Sequence, residues 1–210
     1  MRKYVFSLIL IVVSLGISVI VLPYLPEQVA MHWNIKGEAD QFWNKSYAVF
    51  FMPLLMIVMV ALFTLIPKID PKKENYKKFS GSYNIFVNLL IAFFFLLHIM
   101  MVGYNLGWAI DISLVILIAI GCLFITLGNY LPRIKHNYFL GIRTPWTLAD
   151  EKTWRKTHQL GGKVFVITGV FMILISFLPG LYKIISLLVI IVIMLFILTI
   201  SSYVFFNRSK

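Results

Sequence analysis

The chain has 210 residues, 60% of them hydrophobic and 13% charged, with 19 Lys and Arg against 8 Asp and Glu and a formal net charge of +11. Soluble domains are nearer half apolar and about a quarter charged. The apolar excess is too large for one buried core, which excludes an ordinary soluble domain, a disordered chain and direct nucleic-acid binding. What remains is an all-α polytopic membrane protein, short enough to form a single integral membrane domain over residues 1–210. The lone Cys122 permits no intrachain disulfide.

Crossing ~30 Å of hydrocarbon takes about 20 helical residues. Six stretches qualify, at roughly 5–22, 49–66, 85–104, 112–131, 162–178 and 181–206. Backbone groups in lipid must bond internally, so each stretch is expected to be a helix in a six-helix bundle. Arg2 and Lys3 precede the first stretch, as in a signal peptide. Its apolar part exceeds the usual h-region of about 7–15 residues, and Leu22-Pro23-Tyr24-Leu25-Pro26 follows in place of a small-x-small cleavage site. An uncleaved first helix is expected.

Orientation follows from the positive-inside rule. With both termini in the cytoplasm, 16 of the 19 Lys and Arg side chains lie inside, and only Lys36, Lys45 and Lys183 lie outside. The basic balance then faces anionic inner-leaflet lipid. The loop over residues 23–48 is outer, and the loops over 67–84 and 132–161 are inner.

In the outer loop, Pro23 and Pro26 stop the first helix. Residues 29–33 can form a short extended segment, and Asn34-Ile35-Lys36-Gly37 reads as a turn. Trp33, Trp43 and Tyr47 suit an interfacial belt. The bland role is a cap resting on lipid headgroups. The sharper role is a recognition surface built from His32, Trp33, Asn34, Gly37 and Asp40.

The third helix carries Asn84, Asn88, His98 and Asn105, which fall on the series 84, 88, 91, 95, 98, 102, 105 whose steps alternate four and three, and so share one face. Polar groups are costly in lipid, so this face should look into the bundle. Interhelical hydrogen bonds are the ordinary reading. His98, in the outer half, could instead meet His32, Asp40 or Asp111 in an outer polar pocket.

In the second inner loop, Thr144 and Pro145 read as N-cap and first residue of a helix. Asp150 and Glu151 suit its early turns, and Arg155 and Lys156 its end. Gly161-Gly162 can terminate it. The expectation is an interfacial cytoplasmic helix at about 145–159, anchored by Trp146 and Trp154. Pro179-Gly180 then reads as a tight turn between the last two helices.

Two runs carry a family resemblance. Leu-Pro-x-x-Val-x-x-His-Trp-Asn-x-x-Gly-x-x-Asp, Leu25 to Asp40, resembles the signature of a bacterial membrane domain of unknown function. Gly141-Ile142-Arg143-Thr144-Pro145-Trp146-Thr147-Leu148-x-Asp150-Glu151-x-x-Trp154 resembles the hallmark of the SdpI family, immunity proteins against the sporulation-delay killing-factor toxin. The resemblance implies a multi-pass protein of the bacterial cell membrane that binds or neutralises a secreted membrane-active peptide. It also implies signal transduction, by holding a soluble transcriptional repressor at the membrane.

On that implication His32, Trp33, Asn34, Gly37, Asp40 and His98 would meet toxin outside. Arg143, Thr144, Pro145, Trp146, Thr147, Asp150, Glu151 and Trp154 would hold the partner inside. No cofactor and no catalysis are implied. The alternatives are a membrane-embedded metal-dependent enzyme, or a small transporter with an outer polar pocket around His32 and His98. A transporter should carry intramembrane charge or broken helices. A structural zinc site generally needs about four ligands.

Overall fold

The computed structural model describes residues 4–34 and 37–209. Arg2, Lys3, Ile35, Lys36 and Lys210, which enter the charge count and the expected turn, lie outside the described residues. The elements in chain order are α1 (Val5–Val21), β1 (Gln28–Trp33), β2 (Ala39–Asn44), α2 (Lys45–Ile69), α3 (Lys73–Lys78), α4 (Ser80–Asn105), α5 (Ile112–Tyr130), α6 (Pro145–Ala149), α7 (Glu151–Ile175) and α8 (Gly180–Asn207). Among the described residues six helices are long and apolar enough to cross a membrane: α1 extended to Tyr24, α2, α4, α5 extended to Arg133, α7 and α8. The protein is an all-α multi-pass membrane protein that carries, among the described residues, one small hairpin.

The chain divides into two compact units, one of residues 1–63 and 87–119, the other of residues 64–86 and 120–210. The first unit holds the hairpin. β1 and β2 pair antiparallel with register shifts between Ala30 and Trp33. Val29 and Ala30 are buried, and Val29 joins Leu25, Ala48, Val49, Met101 and Val102 in one apolar cluster. Asn105 docks the hairpin: its amide accepts from Ala30 N at 2.8 Å and donates to Ala30 O at 3.1 Å. A side chain thus takes the place of a third strand and satisfies both backbone groups of Ala30.

Several polar side chains of this unit's helices also find partners. Ser7 donates to Asn88 at 2.7 Å, and Ser18 to the Val49 carbonyl at 2.8 Å. His98 is fully buried, with Nε2 3.4 Å from Ser18 Oγ. Such bonds in a bilayer average ~0.6 kcal/mol. They specify which faces meet more than they hold them together.

In the second unit, α5 and α7 meet backbone to backbone. A Cβ on Gly121 would stand 2.7 Å from the Gly169 carbonyl, and one on Gly128 would stand 2.6 Å from the Gly162 carbonyl. The contacts are reciprocal: a Cβ on Gly162 would stand 2.7 Å from the Gly128 carbonyl. Phe124 and Phe165 stack between the two glycine pairs, with ring centroids 5.0 Å apart. Small residues at this spacing let helices approach closely in lipid.

Two expectations for the inner loop are corrected. The helix at about 145–159 is not continuous: Asp150 is extended (φ −140°, ψ 128°) and separates the five-residue α6 from α7. The Asp150 carboxylate accepts from Thr153 N and Thr153 Oγ1, both at 2.7 Å, and so caps a new helix. That new helix is the fifth span itself, starting at Glu151 and not at residue 162. Gly161 and Gly162 do not end it. Both are buried inside α7, and Gly162 is where α5 approaches.

Candidate functional site

The loops over residues 67–84 and 132–161 fold around buried polar groups. Asp70, between Ile69 and Pro71 at the end of α2, is only 2% exposed. Its Oδ1 accepts from Lys72 N at 2.7 Å. Its Oδ2 accepts from Tyr76 Oη and from Tyr138 N, both at 2.9 Å. Burial and the Asp70 hydrogen bond push the Tyr76 hydroxyl well above the ordinary phenol range, which keeps it a donor.

Asn137, fully buried, completes this layer. Its Oδ1 accepts from Phe139 N at 2.9 Å and Leu140 N at 2.7 Å, while its Nδ2 donates to the carbonyls of Lys135 and Leu140. One side chain thereby turns the segment 135–140, which has no helix or strand to satisfy its backbone.

A ring stack stands beside it. Trp154 lies between His136 (centroids 4.9 Å apart) and His158 (4.1 Å apart). Its indole N–H donates to the Ile134 carbonyl at 2.9 Å. His158 Nε2 accepts from Ile142 N at 3.0 Å, so its Nδ1 carries the proton that reaches the Trp154 carbonyl at 2.8 Å. Gly141 passes over this ring at φ +103°, and a Cβ there would collide with His158 Nε2.

His136 Nδ1 accepts from the Lys72 ammonium at 2.7 Å. Burial first, and the Lys72 charge second, hold its pKa below the ordinary imidazole value. The unfolded chain therefore takes up a proton more readily than the folded one. The stability that neutral His136 contributes is complete above about pH 6.5 and declines as pH falls below it, towards the lower folded-state pKa. Thermal unfolding of the detergent-purified protein should shift to lower temperature on acidification from pH 8 to 5. The shift should be smaller in His136→Gln, and equal pH slopes for the two proteins would refute the assignment.

The expected inner residues are placed as follows. Thr144 caps α6, with Pro145 in its first turn and Thr147 closing a reciprocal capping box. Thr144 Oγ1 also reaches Ser202 of α8 at 3.0 Å, and Trp146 packs edge-on against Tyr203 at 5.2 Å. Arg143 is exposed and donates to the Tyr138 carbonyl at 2.8 Å, not to Asp150 or Glu151. Trp154 is 2% exposed, so it is a core residue and no interfacial anchor. Asp150, Glu151 and Trp154 line a cleft of ≈ 500 Å³ together with Pro132, Ile134, Lys135, His136, Lys152 and Arg155.

The outer residues fall into two places. His32 Nδ1 meets Asp40 Oδ1 at 2.6 Å across the hairpin, with both side chains about half exposed. Trp33 rests edge-on against Tyr104 at 5.1 Å. Asn34 ties the turn by accepting from Glu38 N at 3.1 Å and donating to Glu38 Oε2 at 3.0 Å, and Gly37 takes φ +80°. His98 bonds to Ser18, and among the described residues no hydrogen bond or ion pair joins it to His32, Asp40 or Asp111. No group of three or more His, Cys, Asp or Glu side chains among the described residues comes together as a metal site would require.

Sequence reasoning missed Asp70, Tyr76, His136, Asn137 and His158. The available signal was an acid set between an apolar helix end and a proline, and a His-Asn pair just ahead of the Gly141 run.

Two family profiles match the chain: the SdpI/YfhL protein family over residues 133–204, and a domain of unknown function (DUF1648) over residues 9–57. The chain is 29% identical over 208 residues to "Immunity protein SdpI" of Bacillus subtilis (strain 168), covering 99% of this chain and 98% of that protein. No solved structure matches.

Proposed function

We propose that this chain, similar to the SdpI/YfhL family over residues 133–204 and to an immunity protein along nearly its whole length, is a toxin-immunity protein of the bacterial cell membrane. The observation that carries this reading is likeness to an immunity protein along nearly the full length of both chains. The role is one of binding, with no bond made or broken. The hairpin of β1 and β2, on the outer side by the positive-inside rule, would meet a secreted membrane-active peptide. It offers exposed Phe42 and Trp43 beside the His32–Asp40 pair, and exposed Tyr47 follows in the first turn of α2. An apolar peptide gathered at the bilayer surface would find there an aromatic face with a polar tip.

The inner centre would hold a soluble transcriptional repressor when toxin is present. Supporting this is the division of labour within the Gly141–Trp154 run. Thr147 and Trp154 are buried and build the fold, while Arg143, Pro145 and Glu151 are exposed. Arg143 is held by the Tyr138 carbonyl, which presents its remaining donors outward.

The test is survival of a toxin-sensitive bacterium that expresses the chain and is challenged with the secreted peptide. Protection of several decades in viable count is expected for a protein that removes the lethal agent. No protection from well-expressed protein would refute immunity to that peptide. Arg143→Ala should retain protection and lose membrane recruitment of the repressor, because the reading places it on the inner, signalling side. Loss of protection at normal membrane abundance would overturn that division.

A further inference from the structure

The inner cleft contains charges that its own fold does not use. The heads of Lys135, Lys152 and Arg155 make no ion pair or hydrogen bond among the described residues, and neither does the Glu151 carboxylate. Asp150 differs, because Thr153 occupies its carboxylate. Three free cations and one free carboxylate therefore border a single cleft of ≈ 500 Å³.

The position of the cleft narrows what can fill it. Its wall residues 132–136 begin where one span ends, at Arg133, and its wall residues 150–155 surround the start of the next span, at Glu151. Arg133 closes an apolar run and Glu151, Lys152, Arg155 and Lys156 fill the first turns of α7, so the cleft stands on the polar side of the hydrocarbon boundary, where headgroups lie. Trp154, Pro132 and Ile134 supply an apolar side to the same wall. A ligand that fits carries a phosphate for the cations, a primary ammonium for Glu151, and apolar substance that enters the bilayer beside them.

We propose that this cleft binds the headgroup of a phosphoethanolamine lipid, with the phosphate at Lys135, Lys152 and Arg155 and the ammonium at Glu151. Both charge signs in the cleft are then used. A purely anionic headgroup would leave Glu151 facing negative charge, and a choline headgroup offers Glu151 no N–H donor. The site is independent of toxin immunity and adds a lipid dependence to the inner centre, because His136 and Trp154 form part of the cleft wall.

Native mass spectrometry of the full-length, delipidated protein tests this by titration with dioleoyl phosphatidylethanolamine, phosphatidylcholine, phosphatidylglycerol or inorganic phosphate. The ethanolamine lipid should bind about tenfold more tightly than the choline lipid, the difference one charge-assisted contact supplies. Glu151→Gln should abolish that preference. Lys135→Gln with Arg155→Gln should weaken both lipids about tenfold or more. Lys77→Gln with Lys78→Gln, which removes the same charge elsewhere on the inner loops, should change neither. The substituted side chains are exposed, so unchanged thermal unfolding is the control for folding. Equal binding by wild type and the Lys135/Arg155 variant would overturn the site. Phosphatidylglycerol binding as tightly as the ethanolamine lipid, or inorganic phosphate displacing it at equal concentration, would overturn the headgroup assignment.

Discussion

Gly141→Ala should destabilise the inner centre by about 2–4 kcal/mol, from positive-φ strain and a steric clash together. Gly141 sits at φ +103°, where an L side chain is strained in any surroundings. Its Cβ would also strike His158 Nε2, the atom that accepts from Ile142 N. The ring cannot retreat freely, because Trp154 stacks on one of its faces and the Trp154 carbonyl holds Nδ1. Thermal unfolding in detergent, followed by tryptophan fluorescence, should show a lowered midpoint, and membrane abundance should fall. An unchanged midpoint would mean that the His158 ring is not seated as described. Because α6 hangs on Thr147 Oγ1 donating to the Ile142 carbonyl at 2.8 Å, the damage should reach the Arg143 surface as well.

Asp70→Ala should be comparably harmful, at about 3–5 kcal/mol. Three donors converge on this carboxylate, and with alanine Tyr138 N and Lys72 N lose their acceptor while the Tyr76 hydroxyl keeps only the longer contact to Asn137 Oδ1, at 3.3 Å. Unmet buried donors are costlier than the net value of the bonds they made. Tyr76→Phe offers the contrast. It removes one donor and leaves the other two in place, so it should cost about 1 kcal/mol. The pair can be read from unfolding midpoints of the two variants side by side. If Asp70→Ala were no worse than Tyr76→Phe, the carboxylate would not be the hub of the layer.

Helices set by length and hydrophobicity were legible from the sequence, because a span in lipid admits few alternatives. The Thr144-Pro145 start was legible for a local reason, a cap followed by a residue that needs no N–H donor partner. The extended segment at 29–33 was legible too. Its partner β2 was not, because Ala39-Asp40-Gln41-Phe42-Trp43-Asn44 has no buried face and hence no alternation to read. The break at Asp150 was hidden by good helix formers on both sides. An acid that can serve an early helical turn can equally cap the next helix, and only the Thr153 bonds decide between them.

The candidate site was half legible for a similar reason. The run Gly141–Trp154 is contiguous and stands out as a motif. The layer beneath it joins Asp70 to Tyr138 across 68 positions, and Lys72 to His136 across 64. No local pattern reports such pairings. The outer residues were found by type, but His32 and His98 satisfy different partners, Asp40 and Ser18. A buried histidine on an apolar helix is not drawn to another one merely because both are rare.

The glycine pairs between α5 and α7 have a mechanical consequence. Gly121 with Gly169 and Gly128 with Gly162 place two fixed points along one seam, a span of seven residues on each helix. Rolling either helix would drive a side chain into the other's carbonyls, and sliding one turn would lift both points out of register. The seam therefore behaves as a keyed joint. The two points fix the separation of α5 and α7 along the seam, so a larger residue at any of the four glycines must push the two helices apart.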